Sequence, residues 1–133
     1  MSERPAFTHR LSVRFRDCDM LAHVNNAVYF TYFEEARVAW WRHLGGAGFS
    51  GAGTVVVHAE CDYRVPVLLS HPLEVEVVLI GIGRTSYTLG YRLVRTDTGT
   101  LMAEGKTVSV TTDPVTGQPI PVPEVSRALM KGL

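Results

Sequence analysis

From about Asn26 to His43 the chain carries a run that reads as one helix with almost no polar face. Tyr29, Phe33, Ala36, Trp40 and Leu44 recur at helical spacing, and Val28, Phe30, Tyr32, Val38 and Trp41 fill most of the remaining circumference. A helix of this kind has to be covered nearly all round. The material to cover it is strand-like. Turn residues separate apolar runs at Val55–Val65, Leu73–Ile82, Ser86–Val94 and Leu101–Val110, and a further alternating stretch over residues 8–17 precedes the helix. The Gly45-Gly46-Ala47-Gly48 piece ends the helix, Pro66–Pro72 forms a loop, Gly81 and Gly83 make a tight bend, and Thr96-Asp97-Thr98-Gly99 makes a hairpin. Asp113–Pro123 reads as extended chain and Glu124–Met130 as a short terminal helix. The expectation is an α+β fold: a five-stranded antiparallel sheet wrapped around one long central helix. Such a sheet leaves open edges and an outer face, so self-association is expected over a monomer.

At 133 residues, with 46% hydrophobic and 20% charged residues, the chain suits a single domain spanning residues 1–133. A formal net charge of +0 without long runs of one sign gives no footprint for nucleic acid or an anionic membrane. No apolar run approaches the roughly 18 residues that a membrane span needs. The start, Met1-Ser2-Glu3-Arg4-Pro5, lacks the apolar core of a signal peptide, so a cytoplasmic protein is expected. Cys18 and Cys61 are too few for a disulfide framework and match no zinc-site spacing.

Reactive groups concentrate where the first strand becomes the helix. Leu11, Val13, Phe15 and Asp17 share one parity of the strand, and the same parity extended two residues reaches Asp19. Asn25 and Asn26 sit just before the periodic run, where a side chain caps free backbone N–H groups. A carboxylate is thereby carried towards a helix N-terminus, whose unpaired donors and dipole polarise a carbonyl oxygen. That is a minimal kit for acyl-group hydrolysis.

The run Asp17-Cys18-Asp19, then His23-Val24-Asn25-Asn26, Tyr29 and Glu34-Glu35-Ala36-Arg37, resembles the signature of hotdog-fold acyl-CoA thioesterases of the 4-hydroxybenzoyl-CoA thioesterase type. The His-Val-Asn-Asn piece is also similar to acyl-carrier-protein thioesterases, in which an Asp four residues before that His belongs to the active site. Here that Asp is Asp19. The carrier-protein enzymes have an Asn two residues after it, where this chain has Leu21, so the partner of Asp19 stays open. The resemblance implies the hotdog fold, acyl-CoA as substrate, no cofactor, and a homodimer or homotetramer with sites between subunits. It also implies that Arg84, Thr85 and Ser86 lie near the CoA moiety, where an Arg pairs with phosphate.

Under this reading Asp19 either activates a water as general base or attacks the thioester carbonyl. Asp17 ends the strand by bonding backbone groups. His23 is a catalytic candidate beside a role in holding the loop. Asn25 and Asn26 are caps whose amides also suit positioning of a water or carbonyl, and Tyr29 joins Asn26 on the substrate side. Glu34 and Arg37, three apart, form an ion pair or line the cleft. Glu34 is also the main competitor to Asp19, because another hotdog subgroup uses a helix carboxylate. A Cys18–His23–Asn25 nucleophile set has nothing in the sequence to lower the thiol pKa. His58, Glu60 and Asp62 share a strand face, which reads as a solvated or interface face before it reads as a metal site. Gly81–Ser86 lacks the third Gly of a dinucleotide loop and precedes a strand. The rival functions are a carrier-protein thioesterase and a non-catalytic hotdog ligand-binding protein.

Overall fold

The computed structural model describes residues 7–45 and 52–132. Chain order is β1 (Phe7–Ser12), a single 3-10 turn (Phe15–Asp17), α1 (Val28–His43), β2 (Gly53–Tyr63), β3 (Pro72–Ile82), β4 (Ser86–Arg95), β5 (Thr100–Thr112) and α2 (Glu124–Met130). The five strands form one sheet in the order β1-β3-β4-β5-β2, and every neighbouring pair is antiparallel. This is the α+β sheet-and-helix architecture expected from the sequence. Irregular register at Leu79/Gly81, Leu93/Val94 and Val56/His58 adds the local twist that curls a sheet over a helix.

The core lies between α1 and the concave face. Tyr29, Tyr32, Phe33, Ala36 and Trp40 of α1 are buried against Leu73, Val75 and Val77 of β3 and Tyr87, Leu89, Tyr91 and Leu93 of β4. Phe33 stacks on Tyr91 with centroids 4.7 Å apart, and Trp41 meets Tyr87 edge-on at 5.7 Å. Alternation is clean from Pro72 to Val78 in β3 and from Ser86 to Leu93 in β4, inward residues buried and outward ones not, as period-two pleating requires. Gly45, at φ 104°, ends the helix; Gly46, Ala47 and Gly48 lie outside the described residues.

Three expectations are corrected. The first strand does not run to residue 17. It stops at Ser12, and the 3-10 turn breaks the period, so Phe15 swings outwards to 84% exposure instead of sharing the inward face. The helix begins at Val28 instead of Asn26. Nor is α1 covered all round: Thr31, Glu34, Val38 and Arg42 form an exposed stripe, because the sheet closes over one side of the helix only.

Edge strand β2 is exposed along most of its length, including Val55, Val56 and Val57. It is long, carries three exposed valines and is open to pairing.

Close approach of α1 to β5 rests on a missing side chain. A methyl group at Gly105 would stand 2.5 Å from Phe33 Cε2 and 2.7 Å from the Glu60 carbonyl oxygen, so backbone must shift to admit it. Gly105→Ala is therefore expected to cost about 1–3 kcal/mol. Thermal unfolding checks this: a Tm several degrees lower is predicted, and an unchanged Tm would contradict so close a contact.

Candidate active site

The loop between β1 and α1 is built around Asp17. Its carboxylate is buried and accepts hydrogen bonds from the Arg14 backbone N–H at 2.9 Å and the Tyr32 hydroxyl at 2.7 Å, both on Oδ2. Its own carbonyl accepts the Asn25 N–H at 2.8 Å, closing the loop on itself. Burial, then the bond to Asp17, pushes the Tyr32 phenol well above its ordinary range, so Tyr32 is a permanent donor. Asp17 thus bonds backbone, as its sequence position suggests, and adds a tie to the second turn of α1.

Asp19 is placed differently. The strand parity that would carry it inwards is lost at the 3-10 turn, and its side chain is exposed. Oδ1 accepts the Leu21 N–H at 2.9 Å, while the backbone N–H of Asp19 donates to the His23 carbonyl at 2.8 Å. Between them the chain turns tightly through Ala22, at φ 64°. The turn folds His23 back beside Asp19.

The N-terminus of α1 closes the same corner. Asn25 Oδ1 accepts the Ala27 N–H at 2.9 Å and the Asn25 carbonyl accepts that of Val28. Asn25 therefore braces the turn that leads into α1, whose N-cap position is Ala27. Asn26 caps nothing with its side chain, but its carbonyl accepts the Tyr63 hydroxyl from the end of β2 at 2.8 Å.

A cleft of about 380 Å³ opens here, lined by Asp19, His23, Asn26, Tyr29, Tyr63 and the 64–66 segment. Tyr29 and Tyr63 meet edge-on across it at 4.8 Å. Burial raises the pKa of both phenols, so they stay protonated at neutral pH. Of the sequence candidates, Asp19, His23, Asn26 and Tyr29 are thus brought together, with Asn25 behind them. Tyr63, Arg64, Val65 and Pro66 were missed. They come from the far end of β2, and no local pattern announces that the fold returns them to this loop.

Four candidates stand elsewhere, in two places. Glu34 lines a smaller cavity of about 230 Å³ between α1 and β2, with Phe30, Thr31, Arg37, Val56, Ala59 and Thr107. The Glu34–Arg37 ion pair does not form. Arg37 instead donates to the Tyr91 hydroxyl at 3.2 Å, and Tyr91 shares a 2.7 Å hydrogen bond with Thr107. Arg84, Thr85 and Ser86 are at the β3–β4 turn. Their backbones are pinned there, because the Arg84 carbonyl accepts the Val122 N–H and the Thr85 carbonyl accepts that of Thr111, both at 2.8 Å. Ser86 pairs with Val110, near the Gly53 end of β2, whereas the Asp19 cleft is at the Tyr63 end. Within one chain the two groups are a strand length apart.

Other chemistries find little support. Cys18 is half-buried and packs against the core, and burial pushes the Cys61 thiol up to about 11. Among the described residues no three His, Cys, Asp or Glu side chains gather as a metal set. His58 and Glu60 bond each other at 2.8 Å on the exposed edge strand. A wider trough of about 630 Å³ on the outer sheet face is lined by charges most of which are paired, Arg92 with Glu76 and Lys106 with Glu60 among them.

Residues 13–130 match the model of the thioesterase-like superfamily. The chain belongs to that superfamily. A 1,4-dihydroxy-2-naphthoyl-CoA hydrolase of Synechococcus elongatus is 31% identical over 118 residues, covering 84% of this chain and 85% of that one. Uncharacterized YsmA of Bacillus subtilis is 36% identical over 87 residues, which span 65% of this chain and 59% of YsmA. A Thermus thermophilus thioesterase, solved with coenzyme A and Zn, superposes with a TM-score of 0.81 at 34% identity over 94% of this chain and 92% of that one. A thioester hydrolase of the superfamily is thus the class to which this chain's relatives point.

Tyr32→Phe removes the hydroxyl from Asp17 and leaves a buried carboxylate a donor short. A loss of about 1–3 kcal/mol in urea unfolding is expected. A variant as stable as the parent would show that Tyr32 does not hold the loop.

Proposed function

We propose that this superfamily member hydrolyses an acyl-CoA thioester to the free acid and CoA at the Asp19 cleft, in the manner of the 4-hydroxybenzoyl-CoA thioesterase type. The observation that carries the reading is the pairing of an exposed, forward-facing Asp19 with the start of α1 in one cleft. Asp17, two residues away, is spent on structure. Asp19 is the carboxylate left to reach a substrate.

In this reading the thioester carbonyl points at the first turn of α1. Ala27 and Val28 have their N–H groups engaged by Asn25, and Phe30 donates to the Ala27 carbonyl. Tyr29, at the second helical position, carries a donor that has no i−4 helical carbonyl to bond. Its N–H is the proposed oxyanion donor, worth about 2.7–4 kcal/mol of transition-state stabilisation if it behaves like other such donors. Asp19 either takes a proton from the attacking water or attacks the carbonyl to form a mixed anhydride that water then cleaves. His23 and Asn25 support it, and Asn26 with Tyr29 borders the reacting group.

A second copy of the chain completes the proposal. If the exposed β2 edges pair antiparallel about a two-fold axis, the Gly53 end of one β2 lies beside the Tyr63 end of the other. That apposition carries Arg84, Thr85 and Ser86 of one copy towards the Asp19 cleft of its neighbour, where Arg84 meets a CoA phosphate. The separation of the two groups within one chain favours a dimer, or a tetramer of such dimers, over an active monomer. No helix of the described residues is long and apolar enough to cross a membrane.

The test separates the two carboxylates. Asp19→Asn is expected to lower kcat/KM for acyl-CoA by about a hundredfold or more with Tm unchanged, since the side chain is exposed. Asp17→Asn is expected to lower Tm first. If Glu34→Gln abolished turnover while Asp19→Asn did not, the helix carboxylate would replace Asp19.

A further inference from the structure

The segment from Arg64 to His71 walls the candidate cleft and is held to it mainly by backbone. Arg64, Val65 and Pro66 line the cleft directly. The Val67 carbonyl accepts the Val24 N–H at 2.8 Å, and Leu68 forms an isolated bridge with His23. What keeps the segment itself in shape is its last residue. The His71 backbone N–H donates to the Leu68 carbonyl at 3.1 Å, and the Leu68 N–H donates back to Nδ1 of the His71 ring at 3.1 Å. His71 is 9% exposed. A ring nitrogen that accepts a backbone N–H carries no proton, so the tautomer is fixed: Nδ1 bare, Nε2 protonated.

We propose that His71 is a positioning residue for the site, its neutral ring clamping residues 67–71 so that Val67 and Leu68 hold Val24 and His23, and that protonation of Nδ1 opens this clamp. This rests on the reading of the cleft as the thioester site. On protonation the Leu68 N–H faces a second donor, and one of the two has to turn away. The bridge to His23 and the bond to Val24 then lose the fixed strand they pair with.

The surroundings favour the neutral ring. Burial first, then the Arg95 guanidinium, holds His71 below its ordinary value of 6.5, while Asp97 acts in the opposite sense. Asp97 is itself tied to Arg95 at 2.7 and 3.1 Å. The 18–25 loop packs on the segment through the His23–Leu68 bridge, and on β1, whose Ser12 pairs with Pro72 next to His71, Arg10 is matched to Glu74 at 3.8 Å. A folded pKa below the unfolded one means that the folded state binds the proton less readily. The clamp's contribution is therefore complete above about pH 6.5 and is lost as pH falls through the lowered value.

A nitrogen-15 NMR titration of the full-length protein tests this without needing turnover. At pH 7.5 the His71 ring is expected as the Nε2–H form. On acidification the amides of Leu68, Val24 and His23 are expected to shift together with the His71 ring. His71→Asn, whose oxygen replaces Nδ1 as an acceptor that cannot titrate, is expected to abolish that step in the amides. It is also expected to remove a several-fold acid loss in kcat/KM, while His71→Leu lowers kcat/KM at every pH. An Nδ1–H tautomer at pH 7.5, or a His71 titration that leaves Leu68 and Val24 unmoved, overturns the proposal. Failure of the thioesterase reading would show instead as absence of turnover over the acyl-CoA series, with the NMR result still deciding the clamp.

Discussion

A buried carboxylate has to be hydrogen-bonded, and the loop of this protein is arranged to meet that demand. Leaving Asp17 unsatisfied would cost several kcal/mol, so the chain bends into a 3-10 turn that brings the Arg14 N–H to it, and α1 is seated so that Tyr32 reaches it. The Asn25 N–H, bonded to the Asp17 carbonyl, then sets where the helix can start. Arg14 adds a second tie, its guanidinium paired with Glu35 on α1. One interaction thereby fixes the end of β1, the path of the loop and the first turns of the helix.

The site follows from the same constraint. With Asp17 turned in, the chain crosses to the surface and Asp19 emerges at the cleft, two residues from the buried carboxylate. The tight turn at Ala22 and the Asn25 turn before α1 hold residues 19–26 between two fixed ends. The opposite wall comes from β2 and the segment after it, through the Tyr63 bond to Asn26 and the Val67 bond to Val24. Rigid elements thus carry a short loop, the arrangement that placing a reactive group to within a fraction of an ångström requires.

Much of the fold is legible in the sequence because α1, β3 and β4 bury one face each and so keep a strict period. The stripe Tyr29, Phe33, Ala36 and Trp40 is buried as read, and β3 and β4 begin and end within one residue of their turn signals. Phe15 was misread because alternation looks the same whether the chain continues extended or coils once into a 3-10 turn. Val38 and Glu34 point outwards although the helix looks apolar, because hydrophobicity does not say how many of its sides one chain covers. The bond of Tyr32 to Asp17 spans 15 residues, and that of Tyr63 to Asn26 spans 37. Such pairs depend on packing that no local pattern encodes. The cluster Asp19, His23, Asn26 and Tyr29 was visible because one loop and one helix turn hold it. Arg84 is visible as a cation, but its place at the far end of the sheet is a fact of topology.

On the proposed reading, the thioester site is assembled from the Asp19 cleft of one copy and the Arg84 turn of the next. Subunit mixing addresses it directly. Asp19→Asn and Arg84→Gln protein, each impaired alone in acyl-CoA hydrolysis, are combined under conditions that let subunits exchange. With random exchange in a two-fold dimer, half the assemblies pair one of each, and one of their two sites is fully native, so activity is predicted to rise to about a quarter of the parent's. Activity that stays at the average of the two separate variants would contradict a site shared between copies.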